Sequence, residues 1–148
     1  MDLFTPENGL LALFGLSFMS STVLPLGSEW LLAALVVRGS DPTAAVAVAT
    51  AGNTAGALTT YWIGLAGGMW LTERVLRMDA RTREKAGEQY RKYGSWSLLF
   101  SWLPVVGDPL CLAAGILKVR WWRFVALVAA GKCFRYVTVT WLTLKVVS

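Results

Sequence analysis

Glu29, Asn53, Asp108, Lys132 and Arg135 are the side chains of this sequence that could do chemistry, because each interrupts residues that would otherwise suit hydrocarbon. A charge at the centre of a bilayer costs at least ~2.5–3.5 kcal/mol, so acids and bases at that depth are rare and mark function or pairing. The two acids could exchange protons, while Lys132 and Arg135 could attract an anionic headgroup. Lys132 and Arg135 are three residues apart and so share one face of a helix. The four formal charges cancel, so a structural ion-pair network is the competing reading of the same residues. Histidine is absent, which removes the commonest general base and metal ligand and most hydrolase mechanisms with it. Cys111 and Cys133 lie in apolar stretches and read as small buried side chains rather than a disulfide or metal pair. Neither an enzyme active site nor a cofactor is expected.

Each acid follows a segment that cannot continue a helix comfortably. Glu29 ends Leu24-Pro25-Leu26-Gly27-Ser28-Glu29, and Asp108 sits in Trp102-Leu103-Pro104-Val105-Val106-Gly107-Asp108-Pro109. Irregular backbone at membrane depth is tolerated only inside protein or beside water. Residues 94–103 would rise about 15 Å as an α-helix, half of a roughly 30 Å hydrocarbon core. From Asp108 the chain returns a similar distance to the basic, Trp-rich stretch beginning at Lys118. Two re-entrant helical hairpins are expected, over residues 9–38 and 94–118. Their tips are expected at Pro25 and Gly27, and at Pro104, Gly107 and Pro109.

The chain also repeats itself. A shift of 79 residues, without a gap, gives ten identities in forty between residues 24–63 and 103–142, including Pro25 on Pro104, Gly52 on Gly131 and Trp62 on Trp141. Glu29 falls on Asp108 and Asn53 on Lys132. Broken helices at corresponding positions of two halves are the best sequence pointer to a transporter site.

The remaining elements follow from composition. The 148 residues are 55% apolar and 16% charged, with mean hydropathy +0.52, against roughly 25% charged in soluble domains. A single membrane domain over 1–148 is expected, and its acidic start lacks the basic region of a signal peptide. Residues 43–72 carry no charge and form the firmest expected transmembrane helix. Gly52, Gly56, Gly64 and Gly68 mark one face of it, suited to close helix packing. Residues 73–93 are strongly polar with a thin apolar line, as in an amphipathic helical linker. Residues 124–147 form the last span, in which Lys132 and Arg135 lie about 12 and 16 Å deep by helical rise. The net charge of +5 reads as topology rather than nucleic-acid binding. Residues 72–94 and 118–123 hold ten of the fourteen bases, which places both loops in the cytoplasm and both termini outside. The fold expected is therefore an all-α, multi-pass inverted repeat, each half a hairpin plus one crossing. So small a bundle with a glycine stripe is also a candidate homodimer.

Lys92-Tyr93-Gly94, then Ser101-Trp102-Leu103-Pro104-Val105-Val106-Gly107-Asp108, Ala114-Gly115, Gly131-Lys132 and Arg135-Tyr136 resemble the YqaA-like branch of the DedA (SNARE-associated, VTT-domain) membrane protein family. The resemblance runs from Pro25 onward. It implies two facing re-entrant hairpins in the bacterial inner membrane, with Glu29 and Asp108 at the positions of the acidic hairpin residues. It also implies a role in envelope maintenance by moving lipid, with undecaprenyl phosphate or another phospholipid as cargo and protons as the driving ion. Where typical members carry arginines flanking the second hairpin's proline, this chain has Ser101 and Gly107. Its basic character comes instead from Lys132 and Arg135. The function expected is a proton-linked transporter or flippase for an anionic lipid or lipid-linked phosphate. The alternative is a structural or assembly factor of the inner membrane.

Overall fold

The computed structural model describes residues 6–21, 27–70, 74, 80–103 and 107–147. Among them every regular element is helical: α1 (Pro6–Ser20), α2 (Ser28–Val37), α3 (Pro42–Trp70), α4 (Ala80–Tyr93), a 3-10 arm (Gly94–Trp102), α5 (Gly107–Ile116) and α6 (Trp121–Val147). The expected tip residues Pro25 and Pro104, and the first part of the expected linker, lie outside the described residues.

Local chemistry sets the boundaries. Helix α2 ends in a Schellman motif: Ser40 N donates to Leu35 O (3.0 Å), Gly39 N donates to Val36 O (3.1 Å), and Gly39 takes φ 92°. Glycine accepts that conformation without a Cβ penalty. Two residues later α3 opens with Pro42 in its first turn, where a missing N–H costs nothing. Asp41 caps it, accepting from Thr43 N at 3.3 Å and Ala44 N at 3.1 Å. Helix α5 ends the same way, with Val119 N donating to Ala114 O (3.0 Å) and Lys118 N to Gly115 O (3.0 Å). Here a lysine, Lys118, holds the left-handed position at φ 55°.

Helices α3 and α6 cross at the centre, and the shorter elements pack around them. Helix α1 and α5 pack on α3, while α2 and the 3-10 arm pack on α6. One core cluster joins Leu13, Leu32, Leu35, Ala49 and Tyr136, and a second joins Tyr61, Leu98, Cys111, Phe124 and Val128. A Cβ on Gly52 or Gly56 would lie 2.5 Å from the carbonyl oxygen of Phe14 or Phe18, so α1 rides directly on that face of α3. Gly64 meets the Leu112 carbonyl of α5 in the same manner. Tyr61 donates its hydroxyl to Val119 O, tying α3 to the turn before α6.

Three expectations change. Gly68 is not part of the packing stripe: a Cβ there would meet nothing within 4 Å, and its backbone (φ 41°, ψ −126°) kinks the end of α3. Residues 94–102 wind as a 3-10 helix rather than an α-helix. With three residues per turn, positions three apart eclipse one another, and the two buried residues of the arm are Leu98 and Ser101. Finally α6, not α3, is the helix among the described residues both long and apolar enough to cross a membrane. Its 27 residues would rise about 40 Å. Helix α3 is longer, but glycine, threonine and Asn53 dilute its hydropathy.

The surface of α6 suits lipid. Val137, Leu142 and Val146 are exposed, and the hydroxyls of Thr138 and Thr143 are spent on carbonyls one turn back, at 2.8 and 2.9 Å. Trp121 and Trp122 are exposed at its start, and Lys145 stands 4.1 Å above the Trp141 ring near its end.

Candidate functional site

Helix α6 presents Lys132, Arg135 and Tyr136 inward, at the 3- and 4-residue spacing that aligns side chains along one helical face. Lys132 is only 4% exposed, and its ammonium donates to Asn53 Oδ1 on α3. Asn53 in turn donates from Nδ2 to the Tyr136 phenolic oxygen at 2.7 Å. That phenol lies 2.8 Å from Ser28 Oγ, on the first turn of α2. Arg135 joins both short-helix pairs. One guanidinium nitrogen forms an ion pair with Glu29 of α2, and the other donates to the Trp102 carbonyl of the 3-10 arm at 3.2 Å. A buried lysine and a half-buried arginine are thus held by an amide, a carboxylate and a carbonyl, so neither charge is left without an acceptor.

These groups enclose a small polar cavity. Its walls are Ser20, Asn53, Ser101, Leu103, Gly107, Asp108, Lys132 and Arg135, and its volume is about 10 Å³. That is room for one water molecule. Asp108 faces the cavity from the first turn of α5. All five polar residues singled out in the sequence are therefore brought to one place: four are linked by hydrogen bonds or the ion pair, and Asp108 shares the cavity. Of the tip residues, Gly107 is buried against the Ser101 carbonyl, Gly27 touches Leu16 and Ser20 of α1, and Pro109 is exposed. Among the described residues no group of three His, Cys, Asp or Glu side chains is placed to hold a metal ion.

A conserved-domain pattern, the VTT domain, matches residues 24–143. The chain belongs to the VTT-domain family. It is 40% identical to the inner membrane protein YqaA of Escherichia coli strain K12, over 137 residues that make up 92% of each chain. A Haemophilus influenzae protein is 39% identical over 150 residues, covering 95% of this chain and 90% of its own. The Bacillus subtilis membrane protein YkoX is 32% identical over 111 residues, 71% of this chain and 48% of its own. No solved structure matches the chain. The match leaves α1 outside the VTT domain, although α1 supplies Ser20 to the cavity wall.

Ser20, Ser28, Ser101 and Tyr136 contribute to the VTT-domain site without having been expected there as site residues, although Ser101 and Tyr136 stand in the stretches that carry the family resemblance. The hydroxyls of Ser20 and Ser101 are buried without a hydrogen-bond partner among the described residues. Nothing in the sequence separates Ser20 from its neighbours Ser17 and Ser21. Tyr136 did carry a signal, since it lies one helical turn after Lys132 on the face already assigned to charge. Chemically, the VTT-domain site offers a cluster of hydrogen-bond donors around an acid, lined by α1, α3, the 3-10 arm, α5 and α6.

Proposed function

We propose that this VTT-domain protein moves an anionic lipid or lipid-linked phosphate across the bacterial inner membrane, linked to protons and without chemically altering the lipid. The observation that carries this reading is the bond between Asn53 and Lys132, which are 79 residues apart and coincide under the 79-residue repeat. Residues related by a two-fold rotation touch each other only near its axis, so the bond supports an axis through the polar cavity. Other features agree with the same offset. Helices α2 and α5 each have ten residues and start at Ser28 and Gly107, and both end in Schellman caps, at Gly39 and Lys118.

In this reading residues 9–38 and 94–118 are re-entrant hairpins of an inverted repeat that enter from opposite faces. Helix α6 crosses between them, and α3, which starts 79 residues before α6, is read as its counterpart in the first half although its hydropathy is lower. The basic loops 72–94 and 118–123 face the cytoplasm, in keeping with the positive-inside rule and with the inner-membrane name of the Escherichia coli relative. A cavity the size of one water represents the occluded form. Opening the Glu29–Arg135 pair would free a guanidinium for a phosphate oxygen, and protonation of Asp108 or Glu29 would offset the charge brought in. Undecaprenyl phosphate and glycerophospholipids are the cargo classes this chemistry suits.

A second reading, a structural or assembly factor, is favoured by the Glu29–Arg135 ion pair and the Lys132–Asn53 bond, which hold both cations in this form. Reconstitution separates the two. Proteoliposomes carrying a labelled lipid phosphate should translocate it faster than empty vesicles, and Glu29→Gln or Asp108→Asn should remove that gain. Unchanged translocation in both variants would sink the transport mechanism. Trp30→Cys and Pro109→Cys, at exposed positions that coincide under the 79-residue offset, should label from opposite sides of the membrane.

A further inference from the structure

Tyr136 carries no charge and is fully buried, yet its phenol is the junction of the polar network. The directions of the first two hydrogen bonds follow from Lys132. An ammonium can only donate, so Asn53 must turn its carbonyl oxygen to Lys132 and its NH2 group to Tyr136. Ser28 Oγ lies 2.8 Å from the same phenolic oxygen, and either hydroxyl can be the donor. Three bonds therefore run in series from α6 through α3 and back through α6 to α2. Aligned hydrogen bonds in a low-dielectric setting reinforce one another.

The end points matter. Ser28 is followed by Glu29, and Tyr136 is preceded by Arg135, so α2 is clasped to α6 at two adjacent positions, one charged and one neutral. We infer that Tyr136 is a positioning residue that ties the Lys132 ammonium, through Asn53, to the inner end of α2, so that releasing α2 also releases Lys132. An anion that draws Arg135 away from Glu29 opens the charged half of the clasp. The neutral half then transmits the movement, and both cations are presented together. The inference rests on the reading of Lys132 as an anion-facing group, but its test does not depend on transport.

The test follows Lys132 itself. The full chain in lipid nanodiscs is treated with a membrane-permeant amine reagent, and modification of Lys132 is read by peptide mass spectrometry beside thiol modification of its neighbour Cys133. Tyr136→Phe removes one oxygen and keeps the ring. It should raise the rate at Lys132 several-fold and leave Cys133 unchanged. Ser28→Ala, on a different helix, should move Lys132 in the same direction by a smaller factor. If Tyr136→Phe does not fold, Ser28→Ala alone decides. Unchanged Lys132 rates, or a parallel rise at Lys132 and Cys133, would mean that Tyr136 only packs, and would overturn the inference. A failed translocation assay leaves these rates untouched, so the two failures are distinguishable.

Discussion

Lys132 on α6 rests its ammonium on the amide of Asn53 on α3, and the contact joins two positions separated by one repeat length of 79 residues. A buried charge that loses a strong acceptor bears a desolvation cost with less to offset it. Asn53→Leu should therefore lower stability by about 3 kcal/mol, near the top of the range for stranding a buried polar group. Asn53→Asp keeps an acceptor for Lys132 and another for the Tyr136 hydroxyl, and should cost well under half as much. Thermal unfolding in detergent micelles, compared across the two variants, checks the order.

The Glu29–Arg135 pair should behave as a unit. Arg135→Met strands a carboxylate whose second oxygen has no hydrogen-bond partner among the described residues, and should cost about 3 kcal/mol. Glu29→Gln leaves Arg135 its bond to the Trp102 carbonyl and should cost less. The double change Glu29→Leu with Arg135→Met should recover at least about 1 kcal/mol relative to the sum of the single changes. Additive losses in a double-mutant cycle would show that the two side chains do not stabilise each other.

The two Schellman caps differ in one respect, the residue at the left-handed position. A non-glycine residue there costs about 1 kcal/mol, and Lys118 sits at φ 55° where its counterpart Gly39 sits at φ 92°. Lys118→Gly should stabilise the protein by ~0.5–1 kcal/mol, and Gly39→Lys should destabilise it by a similar amount. Opposite shifts in melting temperature are the expected result.

Gly115 marks the tightest approach between α5 and α3, where an added Cβ would run into the Tyr61 carbonyl oxygen. The clashing atom is backbone, so the helices must separate. Gly115→Ala should cost about 2–3 kcal/mol, as overpacking does. Gly15 on α1 has nothing within 4 Å of the same atom. Gly15→Ala should be neutral or stabilising by up to about 1 kcal/mol, through helix propensity alone. Equal losses in the two variants would contradict the packing described.

Several features could be read from the sequence one residue at a time. Charges within apolar runs cost so much that they must gather, and this alone predicted that Glu29, Asn53, Asp108, Lys132 and Arg135 would meet. Proline and glycine interrupted the helices near Glu29 and Asp108, and the 79-residue offset paired the halves. The membrane character and the VTT family were legible for the same reason, since composition and short motifs are local properties of the chain. Partnership is not local. Either acid could have neutralised either base, and only the tertiary fold put Glu29 on Arg135 and gave Lys132 an amide instead of a carboxylate. Ser28 and Tyr136 entered the network because α2 packs on α6, an approach that no spacing within either segment encodes. The 3-10 winding of residues 94–102 was likewise set by which side chains the neighbouring helices buried, and the kink at Gly68 by a backbone conformation that glycine permits but does not require. Hydrophobicity and charge decide what must be hidden, whereas the choice of partner depends on distances that exist only after α3 and α6 have crossed.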